Sequence, residues 1–214
     1  MFMKPIYIVF TGGCHSGKTT SIQIIKKILE EKGKKVIIFS EIIRNHNIVS
    51  IDEIRLDANK YMDLQYQIIN EKIDMELSMI NYEDEIYDTY VLVDRAITDS
   101  LFYLTFYTNK NEFNDESKEK FYYTFNRIYK HLNHIKDVYN IILEFKPLNK
   151  IQENDSFRPE NLNKMKDIEY IMIQNLNKAY FGNLERYHQI DLNNVDKDKM
   201  YNFWKQYLEN NIIL

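Results

Sequence analysis

Short, mostly apolar runs are spaced along the chain and predict buried strands. Each run ends at a polar or glycine-containing stretch, and Pro147 marks the end of the fourth. Gly33 follows a helical pattern and is predicted to cap that helix. The five predicted strands cover residues 6–11, 35–40, 90–93, 138–145 and 188–192.

Between these runs, apolar residues recur every three to four positions, which predicts amphipathic helices. Helices that alternate with strands are typical of an α/β fold, because right-handed crossovers connect parallel strands. We therefore predict a five-stranded parallel sheet with helices on both faces, in a single domain over residues 1–214. The predicted helices cover about 18–31, 61–79, 98–107, 116–134, 159–180 and 195–211, with a short one near 52–56.

The end of the first predicted strand carries the pattern G-x-x-x-x-G-K-[ST]. Its glycines let successive N–H groups point at phosphate oxygens, and the positive end of the next helix faces the same anion. Lys18 would reach the β- and γ-phosphates of ATP, and Thr19 would ligate Mg²⁺. The strand before and the helix after favour a nucleotide-binding loop over an ordinary turn. The predicted ATP-binding residues are Gly12, Gly13, Cys14, His15, Ser16, Gly17, Lys18, Thr19 and Thr20.

Two carboxylates are predicted to lie near this loop, because the carboxyl ends of parallel strands share one edge of the sheet. Asp94 follows the apolar Val-Leu-Val of strand three, the Walker-B arrangement, and would hold Mg²⁺ together with Thr19. The alternative for Asp94 is a helix cap. Glu41, after strand two, is either a general base for an acceptor hydroxyl or an ion-pair partner of Arg44.

Three of the six arginines follow predicted strand ends at the same edge of the sheet. Arg44 and Arg95 present planar guanidinium groups suited to a phosphate or carboxylate of an acceptor. Arg158, in a lid-like loop at about 146–160, would stabilise the transferring phosphoryl group. Surface ion pairing is the alternative for all three.

Other polar residues on predicted helices have two interpretations each. Gln65 and Gln67 could bind a base edge of the acceptor, although an exposed helix glutamine is the commoner case. Thr98, Asp99 and Ser100 are predicted to cap the helix that follows strand three, and one of them could face the substrate.

These motifs resemble the AAA-domain family that includes the ribosylnicotinamide kinase domain of NadR. The resemblance implies a three-layer P-loop NTPase fold with strand order 2-3-1-4-5, and the use of ATP. One element departs from the family's pattern, because Ser156 stands where a glycine is expected. The matching segments are the phosphate loop from Thr11, the Glu-x-x-Arg at 41–44, Asp94-Arg95 and residues 155–158.

Two further kinase families share parts of the pattern. Residues 94–103 are similar to the Asp-Arg-x-x-x-x-Ser-x-x-Tyr segment of thymidylate kinase, and residues 17–20 also match it. Its Arg-Glu-Pro-Gly after strand two is missing, since residues 40–43 read Ser-Glu-Ile-Ile. Deoxynucleoside kinases are similar through Glu41, a helix glutamine and the Asp-Arg pair.

Composition argues against several other classes of protein. A net charge of −4 without a basic stripe argues against a general nucleic-acid binder. No stretch is apolar enough for a membrane span, and the N-terminus has no signal-peptide layout. Cys14 is the single cysteine, which excludes an internal disulfide and fits a reducing compartment. We expect a cytoplasmic protein that does not associate with membranes, and a homodimer is possible.

The expected activity is ATP- and Mg²⁺-dependent transfer of the γ-phosphoryl group to a small nucleoside or nucleoside monophosphate. The rival interpretation is a nucleotide-binding regulatory ATPase without a small-molecule acceptor. The chain lacks an Asn-Lys-x-Asp signature, which argues against a GTPase switch. The predicted catalytic residues are Lys18, Glu41, Asp94, Arg95 and Arg158, and the predicted acceptor-binding residues are Glu41, Arg44, Gln65 and Arg95.

Overall fold

Five parallel strands form the central sheet of the computed structural model, which describes residues 4–46, 48, 51–80, 88–149 and 162–212. They are β1 (Ile6–Thr11), β2 (Lys35–Phe39), β3 (Thr89–Asp94), β4 (Tyr139–Phe145) and β5 (Tyr187–Ile190). The strand order is β2-β3-β1-β4-β5, and every neighbouring pair is parallel. The predicted fold and strand order are therefore confirmed.

The helices occur where the apolar spacing predicts them, with small differences at their ends. The third helix begins at Ala58 rather than Tyr61, because Asp57 accepts the N–H groups of Asn59 and Lys60 at 3.0 and 3.2 Å. The predicted helix start at Pro159 lies outside the described residues. No helix in the described ranges has both the length and the apolar content of a membrane span. The helices are α1 (Lys18–Glu31), α2 (Ile51–Arg55), α3 (Ala58–Ile80), α4 (Ile97–Phe106), α5 (Asp115–Ile135), α6 (Leu162–Phe181) and α7 (Met200–Asn211).

Gly33 ends α1 in the left-handed conformation, with φ +74°. Its N–H donates to the carbonyl of Glu30 at 2.9 Å, and the N–H of Lys34 donates to that of Leu29 at 3.0 Å. This pair of bonds is a Schellman motif, and it confirms the predicted cap.

The sheet separates two hydrophobic cores, because successive side chains of a strand point to opposite faces. On β1, Tyr7 and Val9 pack with residues of α3, α4 and α5, whereas Ile8 and Phe10 pack with residues of α1 and α7. Trp204 of α7 is fully buried in the second core. Because helices cover both faces of the sheet, a ligand is expected to bind among the loops at the carboxyl ends of the strands.

Candidate active site

The loop after β1 passes close to the end of β4. Gly12 has φ +125°, and a Cβ atom there would lie 2.6 Å from the carbonyl oxygen of Phe145, so only glycine fits without a shift. Gly17 has φ +86° and directly precedes α1. These turns place Lys18 and Thr19, the first residues of α1, in the wall of a cleft above the loop. A helix N-terminus in this position is suited to bind an anion.

Lys18 is held by the loop itself. Its Nζ donates to the carbonyl oxygens of Gly12 and Gly13 at 2.8 and 2.6 Å and to the Ser16 hydroxyl at 3.0 Å. Burial lowers the pKa of Lys18, and the nearby Arg95 lowers it further, against the opposing effect of acidic neighbours. A phosphate group that reached this ammonium would replace the loop carbonyls as its hydrogen-bond acceptor.

The cleft above the loop, here called the loop cleft, has a volume of about 690 Å³. This volume falls in the range of roughly 300–1,000 Å³ that is typical of ligand pockets. Its walls come from the loop, the ends of β2 and β3, and the segments that follow β4 and β5. They include Thr19, Glu41, Asp94, Leu148 and Asn193.

Thr19 and Asp94 both line the loop cleft, and their hydroxyl and carboxylate oxygens are the donors that Mg²⁺ prefers. Burial raises the pKa of Asp94, while Lys18 opposes that rise. Among the described residues, no group of three or more His, Cys, Asp or Glu could hold a metal by itself. The pair therefore fits a magnesium ion that obtains most of its oxygen ligands from phosphates and water.

Arg95 joins the strand ends of β3 and β2. Its Nε donates to Oε1 of Glu41 at 2.6 Å, and its backbone N–H donates to the carbonyl of Phe10 at 2.8 Å. Arg95 has φ +75°, an unfavourable conformation for a residue with a side chain. Sequence analysis offered Arg44 as the partner of Glu41, but the side chain of Arg44 lies outside the described residues.

The remaining nitrogens of Arg95 also have protein partners. Nη1 donates to the hydroxyl of Tyr103 at 3.0 Å, and Nη2 donates to Sγ of Cys14 at 3.6 Å. The Tyr103 hydroxyl in turn donates to Glu169 of α6, whose other oxygen accepts the N–H of Cys14 at 3.1 Å. The N–H and thiol of Cys14 thus contact the walls of the site, beyond the backbone role that the sequence suggested.

A second cavity, the side cavity, lies between the ends of β2 and β3 and the helices α2, α3, α4 and α6. Its walls include Glu41, Asp94 and Arg95, which also line the loop cleft. Its volume is about 90 Å³, below that of typical ligand pockets, so a larger ligand would have to displace side chains.

The structure distinguishes the two glutamines of α3. Gln65 is 5 % exposed and lines the side cavity, and its amide makes no hydrogen bond within the described part of the chain. Gln67 is exposed. Ser100 also lines the side cavity and is buried.

The predicted helix-cap role of Thr98, Asp99 and Ser100 is wrong. The N-cap of α4 is Ala96, with no side-chain cap. Thr98 instead donates to Asn177 of α6, while Asp99 and Ser100 lie within the first turn of the helix. The apolar Ala96 offered no capping signal in the sequence.

Asp99 is bound to the start of the phosphate loop. It accepts a short hydrogen bond from the Thr11 hydroxyl and a longer one, 3.4 Å, from the N–H of Gly12. Asn177 donates to Thr11 at 2.9 Å. Burial raises the pKa of Asp99 to about 6, although Arg95 and the Thr11 hydrogen bond oppose the rise.

Several residues of the side cavity were missed by sequence analysis. The guanidinium of Arg55 stacks 3.7 Å over the ring of Tyr107, which is nearly parallel to the ring of Tyr103 at 6.0 Å. Lys72 could have been found, because it interrupts the apolar stripe of α3 with a charge, a costly placement without a partner.

Arg158 and most of its loop lie outside the described residues, so its role stays a prediction. The first residues of that loop are described: Leu148 and Asn149 line the loop cleft, and the N–H of Leu148 donates to the carbonyl of His15 at 3.1 Å.

Solved structures of similar fold are found among kinases. NadR in complex with NR aligns with a TM-score of 0.62 at 17 % identity, over 96 % of this chain and 51 % of that one. NadR in complex with NAD and AMP-PNP aligns with a TM-score of 0.58 at 16 % identity, over 96 % and 49 %. Thymidylate kinase from Candida albicans aligns with a TM-score of 0.54 at 16 % identity, over 97 % and 92 %.

The chain spans about half the length of the NadR structures. At these identities the likeness shows the fold alone. No curated protein sequence matches the chain at a significant level. A family model described as an AAA domain matches residues 7–185. Because that match covers most of the chain, the protein belongs to this AAA-domain family.

Proposed function

We propose that the protein transfers the γ-phosphoryl group of ATP to a small nucleoside or nucleotide. The observation that carries this proposal is that Glu41, Asp94 and Arg95 line both the loop cleft and the side cavity. A phosphoryl group at the end of a nucleotide in the first space would face a molecule in the second. A regulatory ATPase does not require a second ligand space at this point.

The loop cleft supplies the ATP site. The loop amides and Lys18 would bind the triphosphate, since the ammonium already lies against the loop carbonyls. Thr19 and Asp94 would hold Mg²⁺, which would neutralise part of the phosphate charge. The NadR structures that resemble this chain include one with NAD and AMP-PNP and one with NR, which supports binding of both an ATP analogue and a small nucleoside by this fold.

On the acceptor side, the arrangement of Arg95 favours a hydroxyl over a phosphate. Each guanidinium nitrogen of Arg95 already contacts a protein group, Glu41, Tyr103 or Cys14, so a phosphate would have to compete with these contacts. Glu41 at the junction is placed to accept a proton. In the reaction, an acceptor hydroxyl oxygen bonds to the γ-phosphorus, the bond to the β–γ bridging oxygen breaks, the hydroxyl proton passes to Glu41, and ADP leaves.

An acceptor screen tests this function. The protein is incubated with ATP and MgCl₂ together with single ribonucleosides, deoxyribonucleosides, nucleoside monophosphates or ribosylnicotinamide, and ADP is measured. We expect ADP production to rise well above the acceptor-free rate with at least one nucleoside, together with the phosphorylated product. Slow turnover that no acceptor accelerates would instead support the regulatory ATPase.

A further inference from the structure

Lys72 of α3 lies in the wall of the side cavity, with 6 % of its surface exposed. Its ammonium is paired with Glu76 at 3.1 Å, its one partner within the described part of the chain. An ammonium group has three N–H donors, so two of them have no acceptor there. This buried cation therefore has hydrogen-bonding capacity at the cavity.

Glu76 does not depend on Lys72 for its hydrogen bonds. His131 of α5 contacts one carboxylate oxygen at 2.6 Å, and the Tyr139 hydroxyl donates to the other at 2.8 Å. Burial opposes the charged form of Glu76, but Lys72, His131 and Tyr139 outweigh it and keep the pKa of Glu76 below its usual value. Glu76 is fully buried and is not part of the cavity wall. We interpret it as an anchor that fixes Lys72 in place.

Lys72 lies at the inner end of the side cavity, near the sheet. Tyr61 at the start of α3 donates to the carbonyl of Tyr103 late in α4 at 3.2 Å, whereas Lys72, about three turns further along α3, interacts electrostatically with Asp94 and Asp99 near the start of α4. The two helices therefore run in opposite directions. Asp94 ends β3 and Asp99 lies in the first turn of α4. Burial raises the pKa of both carboxyl groups, and Lys72 is among the cations that oppose the two rises. Gln65 lies two helical turns away, about 10 Å along α3.

The charged side chains in the described wall of the side cavity are equal in number and opposite in sign. Such a wall suits a neutral polar ligand better than a dianionic phosphate. The cations are Arg55, Lys72 and Arg95, and the carboxylates are Glu41, Asp94 and Glu169.

We propose that Lys72 is a specificity-determining residue that donates its free N–H groups to sugar hydroxyls of a neutral ribonucleoside. The inner position beside Asp94 assigns these bonds to the sugar, because the reacting hydroxyl must lie near the phosphoryl group. The base would then extend toward Gln65. This inference rests on the proposed function and names the class of acceptor.

The test is a calorimetric titration of wild type and Lys72→Met with nucleosides, in the presence of AMP-PNP and MgCl₂. The ligands are the neutral nucleosides adenosine, guanosine, cytidine and uridine, with 2′-deoxy and 3′-deoxy forms of the one that binds best, and the cationic ribosylnicotinamide. Tighter binding of ribosylnicotinamide than of all four neutral nucleosides would overturn the neutral class. We expect Lys72→Met to weaken that ribonucleoside by about tenfold or more. For the deoxynucleoside that lacks the hydroxyl contacted by Lys72, the Lys72→Met substitution should weaken binding by less than about threefold, because that contact is already absent.

Equal losses for the ribo and both deoxy forms would assign Lys72 to an acceptor atom of the base, a carbonyl oxygen or a ring nitrogen, and overturn the sugar assignment. Unchanged affinity for all ligands would overturn any acceptor role. Lys120→Met is the matched control, because Lys120 forms ion pairs with Asp63 and Glu116 away from the cavity. Lys72→Arg should restore part of the ribonucleoside affinity, and it remains usable if the methionine variant fails to fold.

The same titrations separate this inference from the proposed function. A wild-type protein that binds a ribonucleoside but transfers no phosphoryl group contradicts the kinase proposal, while the Lys72 comparison is still measured. A wild-type protein that binds AMP-PNP but none of the nucleosides contradicts both.

Discussion

The Nε atom of Arg95 lies 2.6 Å from Oε1 of Glu41, although 54 positions separate the two residues in the sequence. This pair joins the end of β3 to the end of β2 where the loop cleft meets the side cavity. The left-handed backbone of Arg95, with φ +75°, costs about 1–2 kcal/mol in free energy. The contacts around Arg95 must therefore offset the free-energy cost of its backbone conformation.

Substitution of Glu41 tests whether the carboxylate accepts the acceptor proton. Glu41→Gln keeps an oxygen that can accept from Arg95 but removes most of the basicity. We expect kcat to fall by about 10²–10⁴-fold while the Kd for ATP stays within about twofold. Steady-state kinetics with the best acceptor and titration with AMP-PNP measure the two quantities. An unchanged kcat would leave Glu41 only the role of positioning Arg95.

Lys18→Met tests the phosphate contact. The variant keeps a similar side-chain length without the ammonium that Gly12 and Gly13 hold. We expect kcat/KM for ATP to fall by about 10²–10³-fold, because under the proposed function the lost charge would face the phosphates. Lys27→Met is the control, since Lys27 is an exposed α1 lysine 3.9 Å from Glu31, and its kinetics should match wild type. Equal effects of the two variants would contradict the assignment.

Two glycine variants separate backbone conformation from crowding. Gly12 and Gly33 both have positive φ, but a Cβ atom would lie 2.6 Å from the Phe145 carbonyl oxygen at Gly12 and meets nothing within 4 Å at Gly33. We expect Gly12→Ala to lower the free energy of unfolding by about 2–4 kcal/mol and Gly33→Ala by about 1 kcal/mol. Urea denaturation measures both. Similar losses would show that the contact with β4 relaxes at little cost.

Asp99 should make stability depend on pH. Its pKa is raised from 3.8 to about 6, so the folded protein binds this proton more tightly than the unfolded chain. The contribution of Asp99 is fully present below about pH 4 and is lost as pH rises toward and past 6, by about 3 kcal/mol in total. Asp99→Asn lacks this titration. The free energy of unfolding of the variant minus that of wild type should therefore rise by most of that amount between pH 4 and 7.

Denaturation at several pH values in that window provides the measurement for Asp99. The pH dependence of the difference in free energy of unfolding is the decisive result. Changed hydrogen bonds to Thr11 and Gly12 add to that difference an amount that does not vary with pH. A difference between variant and wild type that is constant from pH 4 to 7 would show that Asp99 is already ionised in the folded protein.

The parts of the site that follow from local pattern could be predicted from the sequence. A G-x-x-x-x-G-K-[ST] motif after an apolar strand defines its own backbone path, and Asp94 follows an equally local signal. Strand order and the position of the strand ends then bring Glu41 and Arg95 to the same edge.

The parts that depend on packing between distant helices could not. Glu41 has an arginine three residues later, and no local rule indicates that it pairs with Arg95. Gln65 and Gln67 look alike in sequence, and only the rotation of α3 places one in the cavity and the other in solvent. Glu169 contributes from α6, more than 150 residues beyond the Cys14 N–H that it accepts.

Two segments that are distant in sequence hold adjacent residues of the loop after β1. Leu148, just after β4, donates to the carbonyl of His15, and Glu169 of α6 accepts from the N–H of Cys14. A nucleotide that shifts either loop residue would change the free energy of the contact made by Leu148 or Glu169. By thermodynamic reciprocity, whatever displaces Leu148 or Glu169 would change nucleotide affinity by the same factor. The loop is thus a point of energetic coupling between β4 and α6 as well as the proposed phosphate site.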